Sequence, residues 1–453
     1  MLSFNSKRPL AALALVMTFS GLAHANQADL NQMRTSDFLM GKAATGCQPK
    51  GLKSDSKGEF AYVAEMCGKK INNVREATVS IFNLRTMKLE KTIVTPAGAR
   101  NGIIGNTEVE FTLDDQYALA ARAEGGADSK VYPGYGMVTA IEADDQTIKE
   151  FIPVKGQGAK IIARRPYVQS EGNKQIVYVA NYFSDDISVL DVSGINSDAD
   201  TNGARHYVTK VKLTSAFVNL KKRGYKIAPR GVAFSPDGKY AMVLGSETGS
   251  IILMDAVAHK QIAELPPIPD DVGGRPLNVR HVVLSNDGKL AYLSHMRGNA
   301  VSRIDFPKLI ALGLKTHGVI DKEAWRDLLV PFSNGKKILV LESYPKDHPN
   351  FANKTWNLAH PNTIVLDPVN NRYLYVSSRT TSNVDYNIID TKIKGKVDII
   401  DTTTGNTIIT LVGGAQPTAL EVTPDNRLLI SGGFKDDTLY FFDLKKILNI
   451  YEH

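Results

Sequence analysis

Basic side chains recur at one position of a repeated segment. Arg230 and Arg280 each stand four residues before the end of a short apolar run, and Asn362 and Thr418 occupy the same place in two further copies. An arginine side chain offers a rigid fork of donors that matches a carboxylate or a phosphate group. The repetition therefore predicts a site for an anion, built by several copies of the segment together.

The repeated segment is clearest between Arg230 and Asp255. An apolar run is followed by the turn Pro236-Asp237-Gly238, by a second run and, after a polar gap, by a third run that ends in Asp255. The runs are short, rich in β-branched and aromatic residues, and bounded by turn residues, which is typical of strands. The turn glycine suits a backbone position with positive φ. Seven such units are recognisable, and each must pack on its neighbours to cover both of its faces.

One strand of the repeat has a characteristic sequence. Tyr178-Val179-Ala180-Asn181, Tyr62-Val63-Ala64 and Tyr375-Val376-Ser377 resemble the namesake strand of the YVTN-type repeat of bacterial β-propeller proteins. The resemblance covers almost all of the chain after its N-terminal segment. It implies an all-β fold, a seven-bladed β-propeller of four-stranded antiparallel blades, with residues 26–453 as a single domain. The same architecture is found in lactonases and in large subunits of amine dehydrogenases, so it does not fix the function.

The implied propeller fold predicts where in the molecule the repeated position lies. The first strand of each blade runs beside the central channel, so the loop before it and the loop between strands two and three share one face. The repeated position and these loops therefore predict one basic opening of the channel. The further residues expected there are Arg122, Arg164, Glu247, His295, Arg297, His360 and Arg379. The alternative is a polar lining that holds water and internal ion pairs, with Glu247 balancing Arg230 or Arg280.

The N-terminal 25 residues predict export. Lys7 and Arg8 precede an apolar run over residues 10–22, and Ala23-His24-Ala25 is a small-x-small cleavage signal. This pattern is typical of a secretory signal peptide cut after Ala25. The apolar run is too short for a retained membrane span. We expect a monomer that is located in the periplasm or secreted, with no membrane span.

The charge of the predicted mature chain disfavours nucleic acid as the partner. Taking Lys7 and Arg8 from the formal net charge of +7 leaves +5 over residues 26–453. Charge this dilute attracts anions only where it is clustered. A DNA-binding propeller stays open as an alternative, because the aromatic residues Tyr344, Phe351 and Trp356 in one long loop could stack on bases.

Two cysteines and one acidic loop are the other distinctive features. Cys47 and Cys67 predict a disulfide in an oxidising compartment, and a metal site is the weaker alternative because the pair lacks a Cys-x-x-Cys spacing. Asp198, Asp200 and Asn202 match the opening of a calcium loop. Thr209 stands where the bidentate glutamate of such a loop belongs. A solvated turn is the favoured interpretation and calcium the weaker one.

Sequence motifs for catalysis are lacking. The sequence contains no His-Glu-x-x-His, no Cys-x-x-Cys-His and no glycine-rich phosphate loop, and Ser246 lacks the spacing of a nucleophile elbow. We therefore expect a binding or scaffold protein that uses no cofactor and recognises an anionic small molecule, a peptide or a protein of the periplasm or envelope. The competing class is a propeller enzyme, either a lactonase-like hydrolase or a periplasmic dehydrogenase subunit.

Overall fold

The computed structural model describes residues 33–71, 74–95, 105–123, 136–195, 204–218, 226–273, 278–341, 359–379 and 394–452. The predicted signal peptide, residues 1–25, lies outside these ranges, as do Asp198, Asp200 and Asn202 of the acidic loop. No helix within the described ranges is both long enough and apolar enough to cross a membrane.

Twenty-eight strands of the described chain form seven four-stranded sheets, the blades. The first strand along the chain is β1 (Leu39–Ala44), and three blades follow it. Blade 1 contains β2 (Pro49–Ser54), β3 (Phe60–Ile71), β4 (Val74–Asn83) and β5 (Lys88–Thr95); blade 2 contains β6 (Asn106–Phe111), β7 (Tyr117–Arg122), β8 (Met137–Glu142) and β9 (Ile148–Pro153); blade 3 contains β10 (Ala159–Arg164), β11 (Ile176–Asn181), β12 (Asp186–Asp191) and β13 (Tyr207–Lys212).

The other four blades follow in chain order, with short helices between them or at their ends. Blade 4 contains β14 (Pro229–Phe234), β15 (Tyr240–Gly245), β16 (Ile251–Asp255) and β17 (Lys260–Leu265); blade 5 contains β18 (Val279–Leu284), β19 (Leu290–His295), β20 (Ala300–Asp305) and β21 (Ile338–Val340); blade 6 contains β22 (Pro361–Leu366), β23 (Tyr373–Ser378), β24 (Gly395–Asp401) and β25 (Thr407–Gly414); blade 7 contains β26 (Pro417–Val422), β27 (Leu428–Gly433) and β28 (Thr438–Asp443). The helices are α1 (Asp270–Gly273), α2 (Phe306–Thr316), α3 (Trp325–Leu328) and α4 (Leu444–Glu452), with 3₁₀ turns at Thr35–Asp37, Gln169–Glu171, Ala204–His206 and Lys322–Ala324.

The innermost strands form a closed ring. Each blade begins at the centre, with β2, β6, β10, β14, β18, β22 and β26, and each of these strands contacts the innermost strand of the next blade. The last contact joins β26 to β2 and completes the circle. All strand pairs within the blades are antiparallel, as in the pairing of β14 with β15. The seven-bladed β-propeller predicted from the repeats is confirmed.

The ring is closed by the N-terminal strand. β1 pairs antiparallel with β28 and becomes the outermost strand of blade 7, so that blade combines both ends of the described chain. The C-terminal helix α4 packs through Ile447 into the apolar cluster between blades 6 and 7, near Tyr375 and Leu420. The sequence analysis predicted neither the pairing of β1 with β28 nor the packing of α4.

Apolar side chains fill the space between neighbouring blades. Between blades 3 and 4, for example, Tyr178 meets Phe234 edge to face with ring centroids 4.8 Å apart, a favourable geometry for aromatic pairs. At the predicted turn, the Ser235 hydroxyl donates to Asp237 at 2.6 Å, and Gly238 has φ +68°. Asp255 accepts the backbone N–H groups that follow it. These residues are structural, as the repeat pattern indicates.

Candidate functional site

Each innermost strand begins with a β-bulge. The register with the second strand of the blade shifts directly after the first residue in all seven blades, for example between Pro49 and Gly51. A bulge re-aims the side chain that it contains. The second residue of each innermost strand lies within this shift, and these residues are Lys50, Thr107, Lys160, Arg230, Arg280, Asn362 and Thr418.

Five cations lie together at this end of the channel and are called the cation cluster here. They are Lys50, Lys160, Arg230, Arg280 and Arg379, contributed by blades 1, 3, 4, 5 and 6. Burial and the repulsion of the other four cations hold the pKa of Lys50 well below its usual range. Burial and the three arginines lower the pKa of Lys160 to about 7. Burial is the larger cause of both shifts, and the repulsion among the cations adds to it because they lie close to one another.

The two most buried members of the cluster, Lys50 and Arg230, contact no carboxylate of the described chain. Lys50 and Arg230 are each 7% exposed, and neither side chain donates a hydrogen bond to any described part of the protein. Glu108 is next to the cluster, and burial raises its pKa to about 7 against the attraction of Lys50 and Arg230. The Arg280 guanidinium donates to Asn362 Oδ1 at 2.7 Å. Buried cations that contact no carboxylate, as Lys50 and Arg230 do here, favour the binding of an anion.

Glu247 does not neutralise the cluster through a direct ion pair. Its carboxylate accepts a hydrogen bond from the Tyr182 hydroxyl at 3.1 Å, and among the described residues it makes no ion pair within 4 Å. The Lys160 ammonium lies 5.9 Å from the centre of the Tyr182 ring. On the other side of the opening, the Arg379 guanidinium lies 5.6 Å from the centre of the Phe434 ring. Two aromatic rings thus flank the cations.

His360 lies beside the arginines and is neutral near pH 7. It is 4% exposed, and burial, together with Arg379 and Arg280, lowers its pKa to about 4. A neutral imidazole adds hydrogen-bonding capacity but no charge. Asn362 is also buried, and its amide donates to Thr363 at 2.9 Å.

A cavity of about 390 Å³ lies in the channel next to the cluster. Glu108 and His281 line its upper part, at the third position of β6 and β18. Burial and the charges of Lys50 and Arg230 lower the pKa of His281 to about 3, and its Nδ1 has no hydrogen-bond partner in the described chain. The lower part is lined by the fifth residue of every innermost strand: Ala163, Ala233, Val283 and Val365 in blades 3 to 6, and Lys53, Glu110 and Glu421 in blades 1, 2 and 7.

Three of the residues predicted at the basic opening do not belong to the cation cluster. Arg164 is the last residue of β10, at the opposite end of the channel, where its guanidinium donates to the carbonyl of Thr112 at 2.9 Å. His295 is fully buried inside blade 5, with Nε2 at 2.7 Å from the Ser302 hydroxyl. Thr418 donates to the carbonyl of Pro49 at 2.9 Å and joins blade 7 to blade 1.

Two further predicted residues are not part of the cluster. Arg122 is 2% exposed, and its guanidinium approaches the Met137 sulfur at 3.5 Å. Arg297 is an exposed residue of the turn after β19. Of the predicted set, the structure therefore brings together Arg230, Arg280, Asn362, His360 and Arg379, with Glu247 at the edge.

Sequence reasoning missed Lys50, Lys160 and Glu108. A signal for the first was present, because Pro49-Lys50-Gly51 repeats the pattern of Pro229-Arg230-Gly231. Lys160 and Glu108 stand in strands that lack this proline, so only the strand register identifies them. No group of three His, Cys, Asp or Glu residues in the described chain is arranged to hold a metal ion.

The predicted disulfide is present close to the cluster. Cys47 and Cys67 are bonded, with Cα atoms 5.3 Å apart. Cys47 lies in the loop that leads into β2, three residues before Lys50. The bridge therefore fastens that loop to β3.

Comparisons with known proteins support the fold and leave the function open. No family model matches the chain, so the YVTN-type repeat stays a prediction. The chain is 28% identical over 298 residues to Antigen Lp49 of Leptospira interrogans serogroup Icterohaemorrhagiae serovar copenhageni (strain Fiocruz L1-130). The match covers 64% of this chain and 48% of that bacterial protein, so the chain spans about half the length of the relative.

Two solved structures have the same architecture. One is the β-propeller domain of Cps50 (Swd1) from Myceliophteria thermophila, with a TM-score of 0.54, 13% identity and coverage of 89% of this chain and 98% of that one. The other is hydrazine synthase from Kuenenia stuttgartiensis, with a TM-score of 0.56, 15% identity and coverage of 88% and 96%. At this level of identity the similarity shows the fold alone, and the chain is a seven-bladed β-propeller.

Proposed function

We propose that this protein is an exported binding propeller that recognises an anionic ligand at the cation cluster. The observation that carries the proposal is that Lys50 and Arg230 lie buried beside three further basic side chains and contact no carboxylate of the described chain. Five basic side chains from five blades face one volume, and Glu108 and Glu247 are the carboxylates that act on Arg230 there. The proposed location in the periplasm or outside the cell is supported by the Cys47–Cys67 bridge, because disulfides persist in oxidising compartments.

The alternative of a polar lining with internal ion pairs predicts a different arrangement. Buried ion pairs that only stabilise a fold have both partners in contact, as Lys396 and Asp398 do at 2.8 Å in blade 6. Lys50 and Arg230 have no such contact in the described chain. Buried cations without contacting carboxylates reduce stability. An anionic ligand supplies the missing partner and gives the cluster a function.

Methionine substitutions test the proposal through binding and stability together. Arg230→Met and Lys50→Met should each lower the affinity for inorganic phosphate at least tenfold, because a charge-assisted hydrogen bond is lost. In the unliganded protein both should leave the melting temperature unchanged or raise it, because a buried charge is replaced by an apolar group of similar length. Calorimetric titration and thermal unfolding measure the two effects.

Arg326→Met is the matched control, because Arg326 is an exposed arginine of α3 that pairs with Asp271 and Glu323. It should leave phosphate binding unchanged. A large fall in melting temperature for Arg230→Met, with phosphate binding absent in the unsubstituted protein, would show that these cations are structural.

A further inference from the structure

We propose that the ligand is an organic oxyanion with an apolar body, whose charged group binds the cation cluster and whose body enters the channel beneath it. This inference rests on the proposed function and specifies the chemistry of the ligand. It is based on how the side chains of the seven innermost strands change along the channel.

The channel has three successive layers. The second residues of the innermost strands supply four of the five cations, and Arg379, which directly follows β23, supplies the fifth. The third positions supply Glu108 and His281, whose polar atoms line the upper part of the cavity. His281 carries a buried Nδ1 without a partner among the described groups, so this layer can hydrogen-bond a ligand next to its charged group.

The third layer is divided into an apolar half and a charged half. Blades 3 to 6 present Ala163, Ala233, Val283 and Val365 side by side, which gives a continuous apolar wall. On the opposite side, Lys53 pairs with Glu421 at 3.4 Å and also attracts Glu110. A channel that only holds water needs no such wall. An apolar ligand body that covers the wall buries apolar surface, which stabilises the complex.

The dimensions of the cavity restrict the ligand. Its volume of about 390 Å³ is that of a small-molecule site. The second and fifth residues of a strand are about 10 Å apart along the strand, enough for a chain of roughly six to eight carbons. Inorganic phosphate would leave the apolar wall uncovered. A nucleic acid duplex or a folded protein surface is too large to enter.

Two series of ligands test this inference on the full chain. Straight-chain carboxylates from acetate to decanoate and alkyl phosphates from methyl to octyl should bind about fourfold more tightly for each added methylene. The gain in affinity should level off at roughly six to eight carbons, the length that reaches from the second to the fifth residue of an innermost strand. The series with the higher affinity at equal length identifies the charged group as carboxylate or phosphate.

Variants in the apolar wall distinguish the contribution of the ligand's apolar body to affinity from that of its charged group. Ala233→Phe fills the channel. It should abolish the increase in affinity with ligand chain length, while inorganic phosphate still binds. Val283→Thr keeps the shape and should reduce the gain, which provides a second variant if Ala233→Phe does not fold. Val257→Phe is the control for added bulk, because Val257 is exposed in the turn between β16 and β17. It should change neither property.

The outcomes distinguish this inference from the proposed function. If all chain lengths bind equally and all require Arg230, the apolar body is wrong and the anion site remains. If affinity depends on chain length in the Ala233→Phe variant as strongly as in the unsubstituted protein, the ligand body lies outside the channel and the inference is again wrong. If no oxyanion binds and Arg230→Met destabilises the protein, the anion site itself is wrong.

Discussion

Lys50 and Arg230 occupy positions where an apolar side chain would be the more stable choice. Each is 7% exposed and lies among other cations. Charges of one sign in a buried volume repel each other strongly, because little water screens them. Functional sites commonly sacrifice stability in this way. At the scale of single residues, the cluster is therefore explained by binding better than by folding.

The pH dependence of anion affinity tests the electrostatics of the cluster. Lys160 and Glu108 both have pKa values of about 7 in the unliganded protein. As the pH rises from 6 to 8, Lys160 loses its positive charge and Glu108 gains a negative one, so both changes weaken anion binding. We expect the affinity for sulfate, which stays a dianion throughout this range, to fall about tenfold. Calorimetric titration at several pH values measures it.

Two variants isolate the groups responsible for the pH dependence. Lys160→Met should bind weakly with a flatter pH profile, and Glu108→Gln should bind more tightly above pH 7 because the carboxylate can no longer ionise. An affinity that stays constant between pH 6 and 8 in the unsubstituted protein would contradict this assignment.

The sequence identified part of this site for a definable reason. Arg230 and Arg280 were predicted because their repeats align well, and in the structure both lie near Lys50. Arg164 was placed wrongly because it ends a six-residue strand. It therefore lies about 16 Å from the start of that strand, at the other end of the channel. Position along the strand, which composition does not reveal, decides which opening a residue faces.

At the scale of elements, turns were predictable and inserted helices were not. The Pro236-Asp237-Gly238 turn has a local signature that requires no tertiary contact. In contrast, α2 directly follows β20 and is held by packing, with Gly313 against Leu253 of blade 4. The 3₁₀ turn Lys322–Ala324 leads directly into α3, which is anchored by the buried Trp325. Tertiary packing sets the limits of such elements.

The Cys47–Cys67 bridge should stabilise the element that carries Lys50. It closes a loop of 20 residues between the start of β2 and the body of β3. Replacing both cysteines by serine should lower the free energy of unfolding by about 3 kcal/mol. Denaturant unfolding measures this loss. Reducing agent should destabilise the unsubstituted protein by a similar amount and leave the double variant unaffected. Equal stability of the two proteins would mean that the bridge is not a structural constraint.

At the scale of the whole molecule, closure of the ring is what creates the site. No single blade supplies more than one member of the cation cluster. The pairing of β1 with β28 holds blade 7 together from both ends of the described chain, and β26 then contacts β2. The repeats predicted the number of blades, because each unit must cover its neighbours. They did not predict which terminus completes the last blade, since that depends on a contact between distant parts of the chain.

The location of a bound anion tests the central claim most directly. Crystals of the protein soaked in selenate should show anomalous density in the central channel, within hydrogen-bonding distance of the Lys50 and Arg230 side chains. The same soak of Arg230→Met should show reduced density there. Selenate density at surface positions of the unsubstituted protein, with none in the channel, would contradict the account.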